Sequence, residues 1–459
     1  MDRYRNKNVL IVGIGKTGFA LINFFNSLDC HITVTDIKPI FDLNKAVKKL
    51  KKITPAIQMT FGEHRDEDFL KADVIVYSSS VNPNLPQLQL AKNHGRAVFS
   101  EFALANQLCD KPIISVCGRF GRSSVAHMIS YALKLNGSNT FVGGTPDNPF
   151  INLFLQDKYD EIDYVIVETN SLQLKGLEGF HPILVVYTEI GPEYPEDHFG
   201  FYGDYLNTKL SATKNLNSDN FLIVNFDRLA NHTFFRNQKA QTYWYSRKSF
   251  SKMGVIHEIQ GTHFHERRIH SNIHFHSEFR VTNMRIVGQQ NRESLLAAIT
   301  ACKALGVSNK SIQELIIKFP GTPHNLEYIT EKNGVRFYND SQSENMSQVA
   351  ESVKAFKDSV ILIAGGKDTE QDYELYAEQL GSHVRVIVLV GECKERMNRV
   401  LGNIAQTYLV GSFEESILIA YQKSRTGDTI LLSPGNPATD IFRDFKERGN
   451  YYKKLIYQF

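Results

Sequence analysis

The sequence predicts an α/β protein of three domains, and three features carry that prediction. Short β-branched runs alternate with helical segments from the N-terminus onward. Two of those runs end in glycine-rich turns that lead into a helix, at "VGIGKTG" and "VCGRFGRSS". Near residue 320 the alternation restarts and continues to the end of the chain. A length of 459 residues allows roughly two to four domains of ~100–200 residues, and the breaks in pattern place them at 1–110, 111–320 and 321–459.

In the first segment "NVLIVGIG", "HITVTD", "ADVIVYSSS" and "RAVFSEF" read as strands and "FALINFFNSL" as a helix, the pattern of a Rossmann-like, doubly wound parallel sheet. Gly13, Gly15 and Gly18 follow the first strand, and Asp36 ends the second. Such glycines allow a tight turn and close approach of a diphosphate to a helix N-terminus. Read alone, the turn suggests NAD with Asp36 on a ribose; the bland alternative is a compact strand–helix turn.

The second segment opens with the strand "PIISV", then Gly118, Gly121, Arg122, Ser123 and Ser124, then the helix "VAHMISYALKL". This is the layout of a P-loop-type ATPase domain, with Arg122 where lysine is usual. Strands "DYVIVETN", "ILVVYTEI" and "NFLIVNF" follow, then a histidine-dotted β-like stretch at about 240–287 and the helix "ESLLAAITACKAL". In the third segment "GVRFYND", "SVILIAGG", "RVIVLVGE" and "DTILLSPG" rebuild a Rossmann-like domain, and "NYYKKLIYQF" reads as a helix docked on it.

Bulk properties exclude several classes. With 52 basic and 49 acidic side chains the net charge is +3, too small to favour nucleic acid or an anionic membrane. Five dispersed cysteines without a CxxC pair suggest free thiols in a reducing compartment, with Cys117 a small buried residue. No apolar run reaches 18 residues and the N-terminus begins with a strand, so the expectation is a cytoplasmic protein without membrane insertion. His257, His263, His265, His270, His274 and His276 include HxH pairs that share a strand face, but no matching carboxylate or cysteine set is evident, so they read as surface histidines.

A longer series of motifs remains: "VETNSLQL" (167–174), "PEDHFGFYGDYLNTK" (195–209), "IVNFD" (223–227), "GQQN" (288–291), "GTPHNLE" (321–327), "NDSQSEN" (339–345), "AGGKD" (364–368) and "LLSPGNPATDIFRDFKERGN" (431–450). In this order and spacing the chain resembles the Mur ligase family of peptidoglycan synthesis, and within it the D-glutamate-adding ligases, from residue 8 to about 450. The resemblance implies a UDP-sugar-binding first domain, a central ATPase and a C-terminal amino-acid-binding domain. It also implies that ATP and Mg2+ activate the carboxylate of a UDP-N-acetylmuramoyl-peptide-type molecule as an acyl phosphate, which an amino acid then attacks, in a monomer.

By the same resemblance Gly13, Gly15, Lys16, Thr17, Gly18, Asp36 and Lys38 would hold the UDP end, so that the first glycine turn needs no NAD. Gly118, Gly121, Arg122, Ser123, Ser124, Asn225, Asp227 and Asn291 would hold the nucleotide. Ser123, Glu168, His198 and Lys209 would serve the metal ions, Lys209 as a carbamate; Glu168, His198 and Lys209 are thus the implied catalytic residues. Ser433 and Phe442 would contact the amino acid, beside Asp340 and Ser341. Departures from the family pattern are Arg122 for lysine, Asn325 for arginine, Gln342 for lysine, Thr145 for asparagine, Gln290 and Ser294 near the base, and Ser79 and Ser80 on the UDP side. They leave two readings open, an active ligase and a catalytically impaired relative that binds or regulates.

Overall fold

Most strands are short and largely buried, and most pair in parallel with a neighbour. The structure, a computed structural model, describes residues 1–54, 57–78, 80–190, 202–250, 259–282 and 284–458. Among the described residues, twenty strands form three sheets. The first holds β1 Asn8–Val12, β2 His31–Asp36, β3 Gln58–Phe61, β4 Val74–Tyr77 and β5 Ala97–Ser100, in the order β3-β2-β1-β4-β5. All its pairings are parallel. The order reverses between β1 and β4, where an open sheet leaves a crevice at its carboxyl edge.

The second sheet holds β6 Ile113–Cys117, β7 Thr140–Gly143, β8 Tyr164–Thr169, β9 Leu184–Tyr187, β10 Phe221–Asn225, β11 Gln241–Ser246, β12 Gly261–His265, β13 Arg268–Ser271 and β14 Ser277–Arg280. Its order is β14-β13-β12-β11-β10-β9-β6-β8-β7, which puts β6 between β8 and β9. The third holds β15 Glu327–Lys332, β16 Val335–Asn339, β17 Val360–Gly365, β18 Val384–Val390, β19 Gln406–Leu409 and β20 Thr429–Gly435, ordered β15-β16-β20-β17-β18-β19. Only β15 runs antiparallel to its neighbour there.

Two compact units result, Met1–Glu278 with Leu296–Ile312, and Phe279–Leu295 with Gln313–Phe459. In the first, the helix Lys16–Asn26 and the helix Glu101–Leu108 bury one continuous core with the segment Phe150–Leu155. Phe102 meets Phe150 at 5.3 Å between ring centroids and Phe24 meets Phe154 at 6.0 Å. In the second unit, the C-terminal helix Phe445–Gln458 packs Tyr452 and Ile456 into the core on one face of the third sheet, as expected of a docked helix.

Glu101 lies inside the first core, 3% exposed, its Oε1 accepting the Ile151 N–H at 2.7 Å. Burial pushes its carboxyl from 4.5 up to about 7. The folded state therefore holds a proton that the unfolded chain has already lost, and stability falls as pH rises from about 4.5 through 7. The loss is on the order of 3 kcal/mol. Glu101→Gln removes this titration, so its melting temperature at pH 8 should exceed the parent's and the gap should close towards pH 5. Thermal melts across pH test it; an equal shift at both values would contradict the linkage.

Candidate active site

The glycine turn after β6 is built by conformations that side chains disfavour. Gly118 has φ +140° and Gly121 +80°. A Cβ on Gly118 would lie 1.8 Å from Thr188 Oγ1, so the loop presses against the chain leaving β9 with no room for a larger residue. Gly121 caps the helix Arg122–Leu135, whose first-turn N–H groups face the loop. Burial of Ser124, Val125, Ala126, Met128 and Ile129 fixes that helix against the sheet. Arg122 Nη1 donates to Gly118 O at 2.8 Å, so its guanidinium lies back over the cradle.

β8 is the parallel neighbour of β6, and its register sets Glu168 opposite Val116. The Glu168 side chain therefore emerges beside the loop, where Ser123 Oγ donates to its Oε2 at 2.8 Å. Glu168 is 7% exposed; burial raises its carboxyl pKa, against the pull of Ser123 and of Arg122's charge. Gly144 closes this corner: with φ +89°, a Cβ there would sit 2.3 Å from Glu168 O.

Lys209, on the helix Tyr202–Leu210, is fully buried, and its Nζ donates to Tyr205 OH at 2.6 Å. Tyr187 OH donates to Lys209 O at 2.7 Å, which pins the lysine backbone to β9. Glu168, Ser123 and Lys209 all belong to the first unit, and His198 lies outside the described residues.

Asn225 ends β10 and its Oδ1 accepts the Asp227 N–H. Asp227 in turn accepts from Ser246 Oγ at 2.6 Å and from the Arg247 N–H at 2.9 Å, clasping the end of β11. Asn291 is in the second unit, its Nδ2 donating to Val287 O. Thr145 Oγ1 accepts the Asn148 N–H and so shapes the turn after β7.

At the switch point of the first sheet, Gly13 has φ +91° and Gly15 precedes the helix Lys16–Asn26. Gly18 is required by contact, since a Cβ would lie 2.1 Å from Gly13 O. Asp36 Oδ2 accepts the Ile14 N–H and Oδ1 the Lys38 N–H, both at 3.0 Å. Its carboxylate thus organises the turn. Thr17 is buried, and Lys16 forms an ion pair with Asp147. Ser80 hydrogen-bonds Ser78; Ser79 lies outside the described residues.

In the second unit the motif residues form a hydrogen-bonded frame. Asp340 Oδ2 accepts from Ser343 Oγ at 2.5 Å, Ser352 Oγ at 2.6 Å and Ser433 Oγ at 2.8 Å, and Oδ1 accepts the Leu326 N–H at 3.1 Å. Burial raises its carboxyl pKa against those donors. Ser433 hence spends its hydroxyl on Asp340. Ser341 Oγ donates to Phe445 O and accepts from Arg448 Nε. The buried Arg448 guanidinium is pushed down to about 10, burial being the main cause. Phe442 packs with Phe413 and Tyr451 and lines a cavity of about 10 Å³, room for one water at most. Gln342 is exposed and Asn325 sits in a tight turn closed onto Thr322.

Several contributors escaped sequence reading. Gln173 completes a capping box with Asn170 and donates to Gly144 O at 2.7 Å, binding the "NSLQ" helix to the Gly144 corner; its spacing from Asn170 was the available signal. Tyr205, four residues before Lys209, was visible only as helical spacing.

Models of the Mur ligase MurD-like N-terminal domain, the Mur ligase middle domain and the Mur ligase glutamate ligase domain match residues 7–100, 116–302 and 326–436. A UDP-N-acetylmuramoylalanine–D-glutamate ligase of Bdellovibrio bacteriovorus is 34% identical over 99% of this chain and 98% of its own length. The chain belongs to the Mur ligase family. A second ligase of the same name, from Citrifermentans bemidjiense, is 30% identical over 98% of each chain. Among solved Mur ligase structures, UDP-N-acetylmuramate–alanine ligase of Thermotoga maritima shares the fold with a TM-score of 0.56 at 14% identity, covering 98% of this chain and 99% of that one. A pseudomurein peptide ligase of Methanothermus fervidus does so with 0.52 at 16%, covering 99% and 100%. Among the described residues no helix is long and apolar enough to cross a membrane.

Proposed function

We propose that this chain is the ATP-dependent ligase that joins D-glutamate to UDP-N-acetylmuramoyl-L-alanine, acting as a cytoplasmic monomer. The carrying observation is the Ser123–Glu168 pair, which joins the helix after the β6 loop to β8, with Lys209 buried in the same unit. Domain roles follow for 1–110 (UDP-sugar), 111–320 (ATP) and 321–459 (amino acid).

The residues fit magnesium. Ser123 and Glu168 offer hard oxygen donors, and their 2.8 Å separation is close to the ~3.0 Å edge of an octahedron with ~2.1 Å metal–oxygen bonds. His198 would complete that side, and Lys209 as a carbamate would add an anion. Bound magnesium would offset phosphate charge.

In this reading the substrate carboxylate attacks the terminal phosphorus of ATP and ADP leaves; the D-glutamate amine then attacks the acyl carbon and phosphate leaves. Bringing a carboxylate to a polyphosphate gathers like charges, which the loop N–H groups and Arg122 neutralise. Asn225, Asp227 and Asn291 would border the nucleotide, while Gly13, Gly15, Lys16, Thr17, Gly18, Asp36 and Lys38 would border UDP. Ser433 and Phe442 would border the amino acid.

The test is an assay of purified protein with ATP, Mg2+, UDP-N-acetylmuramoyl-L-alanine and D-glutamate, reading equal amounts of ADP and amide product. Folded protein that yields neither would favour the binding or regulatory reading. The observations on that side are Arg122 turned onto Gly118 O and the neutral Asn325 and Gln342. Restoring cations by Arg122→Lys with Asn325→Arg and Gln342→Lys should raise phosphate release; no gain from a folded triple variant would locate the defect elsewhere.

A further inference from the structure

The β-ribbon at the far edge of the second sheet gathers histidines that the ligase reaction does not use. β12 and β13 pair antiparallel with His263 opposite His270 and His265 opposite Arg268, so both histidines of "HFH" lie on the face that carries His270. The rings confirm it: His263 stacks on His270 at 5.6 Å and His265 meets His270 edge-on at 5.6 Å. β14 then brings a carboxylate to the same face. Glu278 Oε1 lies 3.5 Å from His270 Nδ1 and 3.4 Å from His276 Nε2. The expectation that no carboxylate accompanies these histidines is thereby corrected: Glu278 stands two residues after His276 in the sequence, and the fold brings it to His270 as well.

We propose that His270, His276 and Glu278 bind a divalent transition metal, with Zn2+ the best match and water completing the shell. Ligand atoms of the three residues all lie within 4.8 Å of one another. A tetrahedral ion with bonds of ~2.0 Å has ligand–ligand edges of about 3.3 Å, and both nitrogen–oxygen separations fall close to that. Two imidazoles and a carboxylate suit Zn2+ better than Mg2+, which prefers six oxygens. The second oxygen is already oriented, since Arg268 Nη1 donates to Glu278 Oε2 at 2.9 Å. Glu278 and His276 are open enough for a metal to enter, at 40% and 66% side-chain exposure. The ion would tie β13 to β14, and the proposal stands whether or not the ligase reading does.

The experiment is equilibrium dialysis of tag-free protein with Zn2+ against excess Mg2+, paired with thermal melts and with Co2+ absorption. One Zn2+ per chain should bind and raise the melting temperature, and Co2+ should give the intense visible bands of a four-coordinate nitrogen–oxygen site. His276→Ala and Glu278→Gln should each weaken binding at least tenfold, while His274→Ala should not. Because both altered side chains are largely exposed, the variants should fold, and their melting temperature without metal checks this. Absence of stoichiometric Zn2+, binding unchanged in both variants, or thiolate-to-cobalt charge transfer would overturn the proposal; the last would assign the metal to cysteines.

Discussion

Glu168→Gln should lower kcat by about 10²–10³ while leaving the fold intact. Gln keeps the shape of Glu and can still accept the Ser123 hydroxyl, so the corner between β6 and β8 should not move. The side chain is buried and burial disfavours its charged form, so neutralising it costs no stability and can add some. What disappears is the anion that would hold magnesium at the phosphate loop, and its loss should also raise the magnesium concentration needed for half-maximal rate. The raised pKa fixes the sign of the pH effect. As pH falls, Glu168 takes up a proton above the ordinary carboxylate value of ~4.3 and metal binding weakens. The parent should show an acid limb that the Gln variant lacks. Steady-state ADP release against magnesium and pH checks both; an unchanged kcat with unchanged metal dependence would remove Glu168 from the metal site.

Asp340→Ala should be the most destabilising single change in the second unit, by about 3–5 kcal/mol. Three hydroxyls and one backbone N–H converge on this carboxylate inside a site with no exposed surface to relax into. Truncation strands three buried hydroxyls and a half-buried N–H at once, and each orphan costs desolvation that a mere lost contact does not. Because Asp340 joins the ends of β16 and β20 to the helix Met346–Lys354, the damage should spread across the carboxyl edge of the third sheet. Asp340→Asn retains an acceptor and should cost less. Denaturant unfolding distinguishes them: equal stability of the Ala variant and the parent would mean that the serines find other partners.

The strands that sequence pattern identified and those it missed differ in position. β1, β2, β4, β6, β8, β9, β10, β16, β17, β18 and β20 were legible because strands buried on both faces need near-continuous apolar, β-branched sequence. The expectations omitted β3, β7, β15 and β19, each a sheet edge, although one edge strand, β5, was legible in "RAVFSEF". An edge strand meets solvent on one side, so it is short and mixed in polarity; "QMTF" and "QTYL" carry no run to recognise.

The candidate site divides the same way. Glycine turns are written into the chain, because only glycine adopts φ +140° at Gly118 or tolerates the contact at Gly18, and a motif with fixed spacing records that need. The sequence by itself thus determined the α/β class, both glycine loops and the family. Tertiary structure alone decided which side chains meet. Glu168 reaches Ser123 across 45 positions, Ser433 closes on Asp340 across 93, and Glu278 reaches His270 through strand register. Such contacts depend on the order in which strands lie side by side, and that order follows from burying whole sheets, a property no local stretch of residues contains.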